Sequence, residues 1–107
     1  MADGNIFSDI AARGADEQVT ELLASPHVRI ERIVSRGHAS PPDFWYDQDR
    51  TEWVLVLDGA AALRFEGEDG ARMLQRGDYL LIPAHARHRV EWTDPAQATV
   101  WLAVHIA

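Results

Sequence analysis

The sequence predicts an all-β domain, a small sandwich or barrel, on three observations. From His27 onward the apolar residues follow a period of two rather than a helical one, as in "HVRIERIV", where Val28 and Ile30 alternate with Arg29 and Glu31. Glycine-containing turns recur between these runs, at Asp58-Gly59, Glu68-Asp69-Gly70 and Gly77-Asp78. The spacing of the turns leaves room for about seven or eight short strands, the pattern of a sandwich or barrel.

Composition bounds what such a domain can do. A chain of 107 residues, 47% hydrophobic and 25% charged, is the size of one soluble domain with one core. It contains no cysteine, which excludes thiol nucleophiles, zinc–thiolate sites and disulfides, and all ten of its basic residues are arginine. Without lysine there is neither Schiff-base chemistry nor a lysine-bearing phosphate loop. A formal net charge of −7 argues against nucleic acid as a partner. No apolar run approaches the ~20 residues of a membrane helix. The opening "MADGNIFSDI" has neither a basic start nor an apolar stretch, so a cytoplasmic protein is expected.

Along the chain, residues 1–26 read as an N-terminal arm and 27–107 as a single β-barrel domain. In the arm, Val19, Leu22 and Leu23 stand at helical spacing behind Asp16 and Glu17, with Ser25-Pro26 as a stop, which predicts a short amphipathic helix packed outside the body. "SRGHASPPDFWYDQDR" is loop-like. "TEWVLVLDG" is a strand ending in a hairpin signal, "AAALRF" and "RMLQ" flank the next turn, and "YLLIP", "RHRVEW" and "ATVWLAVHI" complete the set. Within "TEWVLVLD", Glu52 shares a face with Val54 and Val56; His88 alternates with Val90 and Trp92.

The stretches "EWVLVLDG" and "GDYLLIPAHARH" resemble the two paired motifs of the cupin superfamily. Glu52 and Gly59 fit the end of the first, and Gly77, Pro83 and His88 fit the second, with His85 standing where a glycine is usual. The resemblance covers roughly residues 27 to 105 and implies a cupin-like jelly-roll β-barrel (a double-stranded β-helix) with a short N-terminal helix. Each motif is expected to be a hairpin, and the two to lie on neighbouring strands. Metal-binding members add two histidines shortly before the glutamate; here those positions hold Tyr46 and Gln48, or Trp45 and Asp47. The resemblance therefore implies a divalent metal (iron, manganese, zinc or nickel) held by His88, Glu52 and Gln48 or Asp47, a set richer in oxygen than zinc prefers.

A carboxylate sharing a face with two valines is costly to bury alone, so Glu52 requires a metal, an arginine such as Arg87 or Arg89, or a wet mouth. It could also serve as a general base, its pKa raised by apolar neighbours. Tyr46 and Trp45 of the "FWYD" run, His85 in the turn and Trp92 on the last motif strand are expected to line a ligand pocket. His38 is expected at the surface and His105 to close the far sheet. The resulting expectation is a barrel that binds a small molecule in its interior with a divalent metal, the partner being that molecule and a second copy in a homodimer. Two competing expectations are a metal-free ligand-binding or sensor module and a barrel with a structural role alone.

Overall fold

The computed structural model describes residues 1–10 and 16–107. Among these, eight strands account for the regular structure: β1 (Gln18–Ala24), β2 (Val28–Ser35), β3 (Thr51–Asp58), β4 (Ala60–Phe65), β5 (Arg72–Gln75), β6 (Tyr79–Ile82), β7 (His88–Thr93) and β8 (Thr99–Ile106). They form a five-stranded sheet in the order β1-β2-β8-β3-β6 and a three-stranded sheet in the order β5-β4-β7. Every pairing is antiparallel. The hydrogen-bonded order does not close on itself, so the expected barrel is two separate sheets with the core between them.

Among the described residues the predicted N-terminal helix is absent. Residues 18–24 are an edge strand paired with β2, and the register slips between Glu21 and Leu23. That slip explains the misleading pattern. A strand with one extra residue puts its apolar side chains at irregular intervals, and Val19, Leu22 and Leu23 then mimic a helical face. The edge strand is held from its far side as well. Arg32, only 5% exposed, donates to the carbonyls of Ile6, Ser8 and Asp9 and to Thr20 Oγ1. This guanidinium fastens the N-terminal arm back over the outer face of the sheet.

Asp58-Gly59 is not a hairpin turn either. β3 pairs with β6 and β8, whereas β4 pairs with β5 and β7, so Gly59 carries the chain from one sheet to the other. It does so at φ +89°, with Thr99 and Ala98 so close that a Cβ would lie 2.6 Å from Thr99 Oγ1 and 2.8 Å from the Ala98 carbonyl. The second motif crosses likewise between β6 and β7. The two motif strands are nonetheless neighbours as expected, since β3 and β6 align Glu52 with Ile82.

Register decides which residues face inward. Across β2, β8 and β3, one row reads Arg29, His105, Glu52; the next Glu31, Ala103, Val54; the third Ile33, Trp101, Val56. The inner surface of this sheet therefore grades from charged at one end to apolar at the other. At the apolar end Val54, Val56, Trp101 and Ile82 pack against Ala61, Leu63 and Leu74 of the opposite sheet. Each large member of that cluster contributes about 1.5–3 kcal/mol by leaving water, which suffices to hold the two sheets face to face. The polar end is left unfilled.

Candidate functional site

The unfilled end is a cavity of about 240 Å³ between the sheets, walled by Ile33, Val54, Leu63, Ile82, Val90 and Trp101 and carrying Glu31, Glu52, His88 and His105 among its polar groups, with Glu17, Arg29, Tyr46 and Gln48. Glu52 is delivered by the inward face of β3, as its alternation with Val54 and Val56 requires, and is 7% exposed. His88 comes from the first residue of β7, and is 4% exposed. Tyr46 forms a two-residue bridge with it: Tyr46 N–H donates to the His88 carbonyl at 2.7 Å and His88 N–H to the Tyr46 carbonyl at 3.1 Å. Their rings stack with centroids 5.5 Å apart. Phe44 meets Tyr46 edge-on at 4.9 Å.

The hydrogen-bond partners fix the histidine tautomers. His88 Nδ1 donates to the Ala86 carbonyl at 2.8 Å, so its Nε2 presents a lone pair, 3.9 Å from Glu52 Oε1. His105 Nε2 donates to Glu31 Oε1 at 3.0 Å and lies 4.0 Å from Glu52 Oε2. Each oxygen of the Glu52 carboxyl thus faces an imidazole nitrogen across a gap too long for a direct hydrogen bond.

Electrostatics follow from burial. Burial pushes the Glu52 carboxyl up to about 7, with Glu31 adding to the rise and Arg29 opposing it. Burial lowers both His88, against its bond to the Ala86 carbonyl, and His105, against its bond to Glu31. Tyr46 is raised, by burial first and then by Glu17 and Glu52, and stays a phenol. Near neutral pH the site therefore holds two neutral imidazoles beside a carboxyl poised between its two forms.

Several expected residues arrive here and several do not. His88, Glu52, Gln48 and Tyr46 all line the cavity. His105, expected to close the far sheet, lines it too; its alternation with Trp101 and Ala103 was visible, but the β3–β8 register that sets it opposite Glu52 was not. Asp47 is turned away, its Oδ1 taking His85 Nδ1 at 2.8 Å at the exposed rim. Trp92 faces outward. The register of β7 against β4 slips at Glu91, so inward parity passes from Val90 to Thr93, which is 1% exposed, and skips Trp92 at 39%. Trp45 lies outside the cavity as well, with the Arg89 guanidinium 6.0 Å from its ring. Arg87 and Arg89, considered as partners for Glu52, pair instead with Glu66 and Glu91. His38 is half-buried, its Nδ1 accepting the Arg36 amide.

The donor set does not fit a resident divalent ion. With Asp47 at the rim, the His105 N–H committed to Glu31, Glu31 itself taken by His105 and Arg29, and Glu17 taken by the Ser35 hydroxyl, the cavity offers one free imidazole lone pair, the Glu52 carboxyl and the Gln48 amide oxygen, which is buried without a partner. Among the described residues, no three His, Cys, Asp or Glu side chains converge as a metal cage. An ion sited here would have a single nitrogen and few anionic ligands.

Two facing antiparallel sheets around a polar-ended cavity, entered by a glutamate from one motif and a histidine from the other, define the cupin class. The chain belongs to that family: its cupin-domain model matches residues 32–105. Among solved structures, a protein from Ralstonia eutropha JMP134 with a provisional mannose-6-phosphate isomerase assignment is 48% identical, with a TM-score of 0.94 over 99% of this chain and 98% of that one. A cupin superfamily protein from Desulfitobacterium hafniense DCB-2 is 22% identical, with a TM-score of 0.74 over 91% of this chain and 83% of that one. An RmlC-like cupin with a double-stranded β-helix fold from Methanocaldococcus jannaschii is 19% identical, at 0.70 over 91% and 86%. The last two show the fold alone. No curated protein matches the chain. Among the described residues no helix is long and apolar enough to cross a membrane.

Proposed function

We propose that the cavity binds a small polyhydroxylated molecule of the sugar class, without a resident metal ion, and that Glu52 exchanges a proton with it. The observation that carries this reading is the pair of gaps around Glu52. A hydroxyl oxygen can sit within hydrogen-bond distance, about 2.8 Å, of both ends of a 3.9 Å gap, donating to one end and accepting from the other. Adjacent hydroxyls of a sugar present two such oxygens side by side, the second donating to Glu52 Oε2 and sharing the His105 N–H with Glu31. The unpartnered Gln48 Oε1 supplies one more acceptor, and the Trp101 side of the cavity supplies the apolar wall that a sugar ring uses. The sugar-phosphate assignment carried by the 48%-identical Ralstonia protein points to the same ligand class.

The test is titration of the protein with a panel of aldoses, ketoses and polyols, read by tryptophan fluorescence and by calorimetry. Saturable binding of at least one of them is expected, weakened at least thirtyfold by Glu52→Leu and by His88→Leu. Elemental analysis of protein purified without chelator is expected to find well under one equivalent of any transition metal. A near-stoichiometric metal that Glu52→Ala and His88→Ala both abolish would overturn the metal-free half of the reading. A panel without any saturable ligand would overturn the rest.

We also infer that the outer face of the five-stranded sheet seats a second copy. Trp53, Leu55, Tyr79, Leu81, Leu102 and Val104 share that face by register, with Tyr79 66% and Leu81 56% exposed. A row of apolar side chains running across three neighbouring strands is the kind of face that marks a contact between proteins, and an antiparallel sheet face can meet its own copy about a two-fold axis. Light scattering is expected to give twice the chain mass, reduced to one chain mass by Leu81→Arg; a monomeric wild type rules the dimer out.

A further inference from the structure

Beside the inner cavity, at the rim, lies a second one of about 330 Å³, and Arg29, Gln48 and His105 line both. The chemistry of the outer one is different. Arg29, Arg50 and His85 face it, together with Asp47 and Asp49. Asp47 is already engaged by His85 at 2.8 Å.

Arg50 is half-buried, holds only the Pro26 carbonyl at 3.4 Å, and forms no ion pair among the described residues. Five other arginines do form them. Arg29 reaches Glu31 only at 3.5 Å, and its buried Nε has no hydrogen-bond partner. A half-buried guanidinium without a counter-ion is costly, and a planar anion satisfies it with two parallel hydrogen bonds.

His85 adds a second, independent observation. It stands at φ +64°, a left-handed conformation that suits glycine and strains any side chain with a Cβ. Its backbone N–H donates to the Gln48 carbonyl at 2.6 Å, so the turn is pinned to the cavity wall, and the Asp47 bond aims the ring. A strained residue held by a carboxylate at the mouth of a pocket is the arrangement in which strain serves a ligand. With Nδ1 turned to Asp47, Nε2 meets a bound anion as the second N–H of an imidazolium.

We propose that this mouth seats an anionic head group, a phosphate ester or a carboxylate, on the same ligand whose hydroxyls reach Glu52. The inference rests on the sugar reading of the inner cavity and adds polarity to it: anion outward on Arg50, Arg29 and His85, hydroxyls inward. In a chain of net charge −7, an anion is repelled by most of the surface, and at the mouth Asp47 and Asp49 stand beside Arg29 and Arg50, so affinity for one must come from direct hydrogen bonds to the guanidiniums rather than from net charge.

The experiment compares calorimetric titrations of mannose, mannose 6-phosphate and gluconate against wild type, Arg50→Gln and His85→Gly. Glycine suits the positive φ at position 85, so that variant keeps its fold. Either anion is expected to bind at least tenfold tighter than mannose, the phosphate alone if the site is a phosphate seat and both if any anion serves. Each substitution is expected to remove at least threefold of that advantage while leaving mannose unchanged. Equal affinities for all three ligands in wild type would overturn the proposal and leave the inner-cavity reading standing. So would an advantage that survives both substitutions. Anion binding that depends on Arg50 but shows no response to Glu52→Leu with any sugar would keep the mouth site and overturn the inner-cavity reading.

Discussion

Glu52→Gln is expected to make the protein about 2–3 kcal/mol more stable than wild type at pH 8.5, with little gain at pH 5. Burial raises the folded-state pKa of Glu52 from 4.5 to about 7, so between those values the folded protein holds a proton that the unfolded chain releases. The contribution is fully present below pH 4.5 and is lost as pH rises through 7. A tenfold change in proton affinity is worth about 1.4 kcal/mol. Glutamine resembles the protonated acid in shape and polarity and does not titrate, so the variant escapes the loss. The depressed pKa values of His88 and His105 act in the opposite direction, removing stability as pH falls below their unfolded value near 6.5, but they do so in both proteins. Urea unfolding of the pair at several pH values isolates the Glu52 part. Parallel curves would mean that the carboxyl is not held in an apolar setting, and the poised proton proposed for the cavity would go with it.

Gly59→Ala carries the other large effect, a loss of about 3 kcal/mol. Two costs add. The residue sits at φ +89°, and its new methyl would stand 2.6 to 2.8 Å from Thr99 and the Ala98 carbonyl, atoms of a neighbouring strand end that cannot step aside alone. Gly67 provides the control, since it has φ +91° and open space around it. Gly67→Ala should cost only the backbone strain, about 1 kcal/mol. If denaturant midpoints show equal losses for the two variants, the close approach at the sheet-to-sheet crossing is not what position 59 responds to.

The sequence made some of this legible and hid the rest for physical reasons. Alternation placed Glu52 with Val54 and Val56, and that grouping holds because β3 is regular through those positions. The paired motifs brought Glu52 and His88 to one cavity. Alternation sorts a strand into two faces without saying which is inner, however, and here the outer face of the five-stranded sheet is also apolar. Thus β2 turns Arg29 and Glu31 toward the cavity and Val28 and Ile30 away from it. His105 needed the register with Glu52, a long-range fact no local pattern contains. The histidine in a glycine's place was noticeable in "AHARH". Only the dihedral and the Asp47 bond show that the turn adopts the left-handed conformation regardless and holds the ring at the rim. Two of the misplaced readings, the helix expected around Val19, Leu22 and Leu23 and the inward Trp92, trace to bulges, which reset the period of two without leaving a mark in composition.

The slip at Glu91 also bears on how such a pocket can change over generations. His88 and Val90 face inward before it and Thr93 after it, with two consecutive outward residues, Glu91 and Trp92, in between. Loss of either codon would restore a regular strand and still leave the histidine, the valine and the threonine on the inner side. Loss of the codon for Arg89 would instead turn Val90 outward. The strand therefore carries one place where its length can vary without redrawing the chamber, and an in-frame deletion there is a change the chemistry of Glu52 and His88 need not feel.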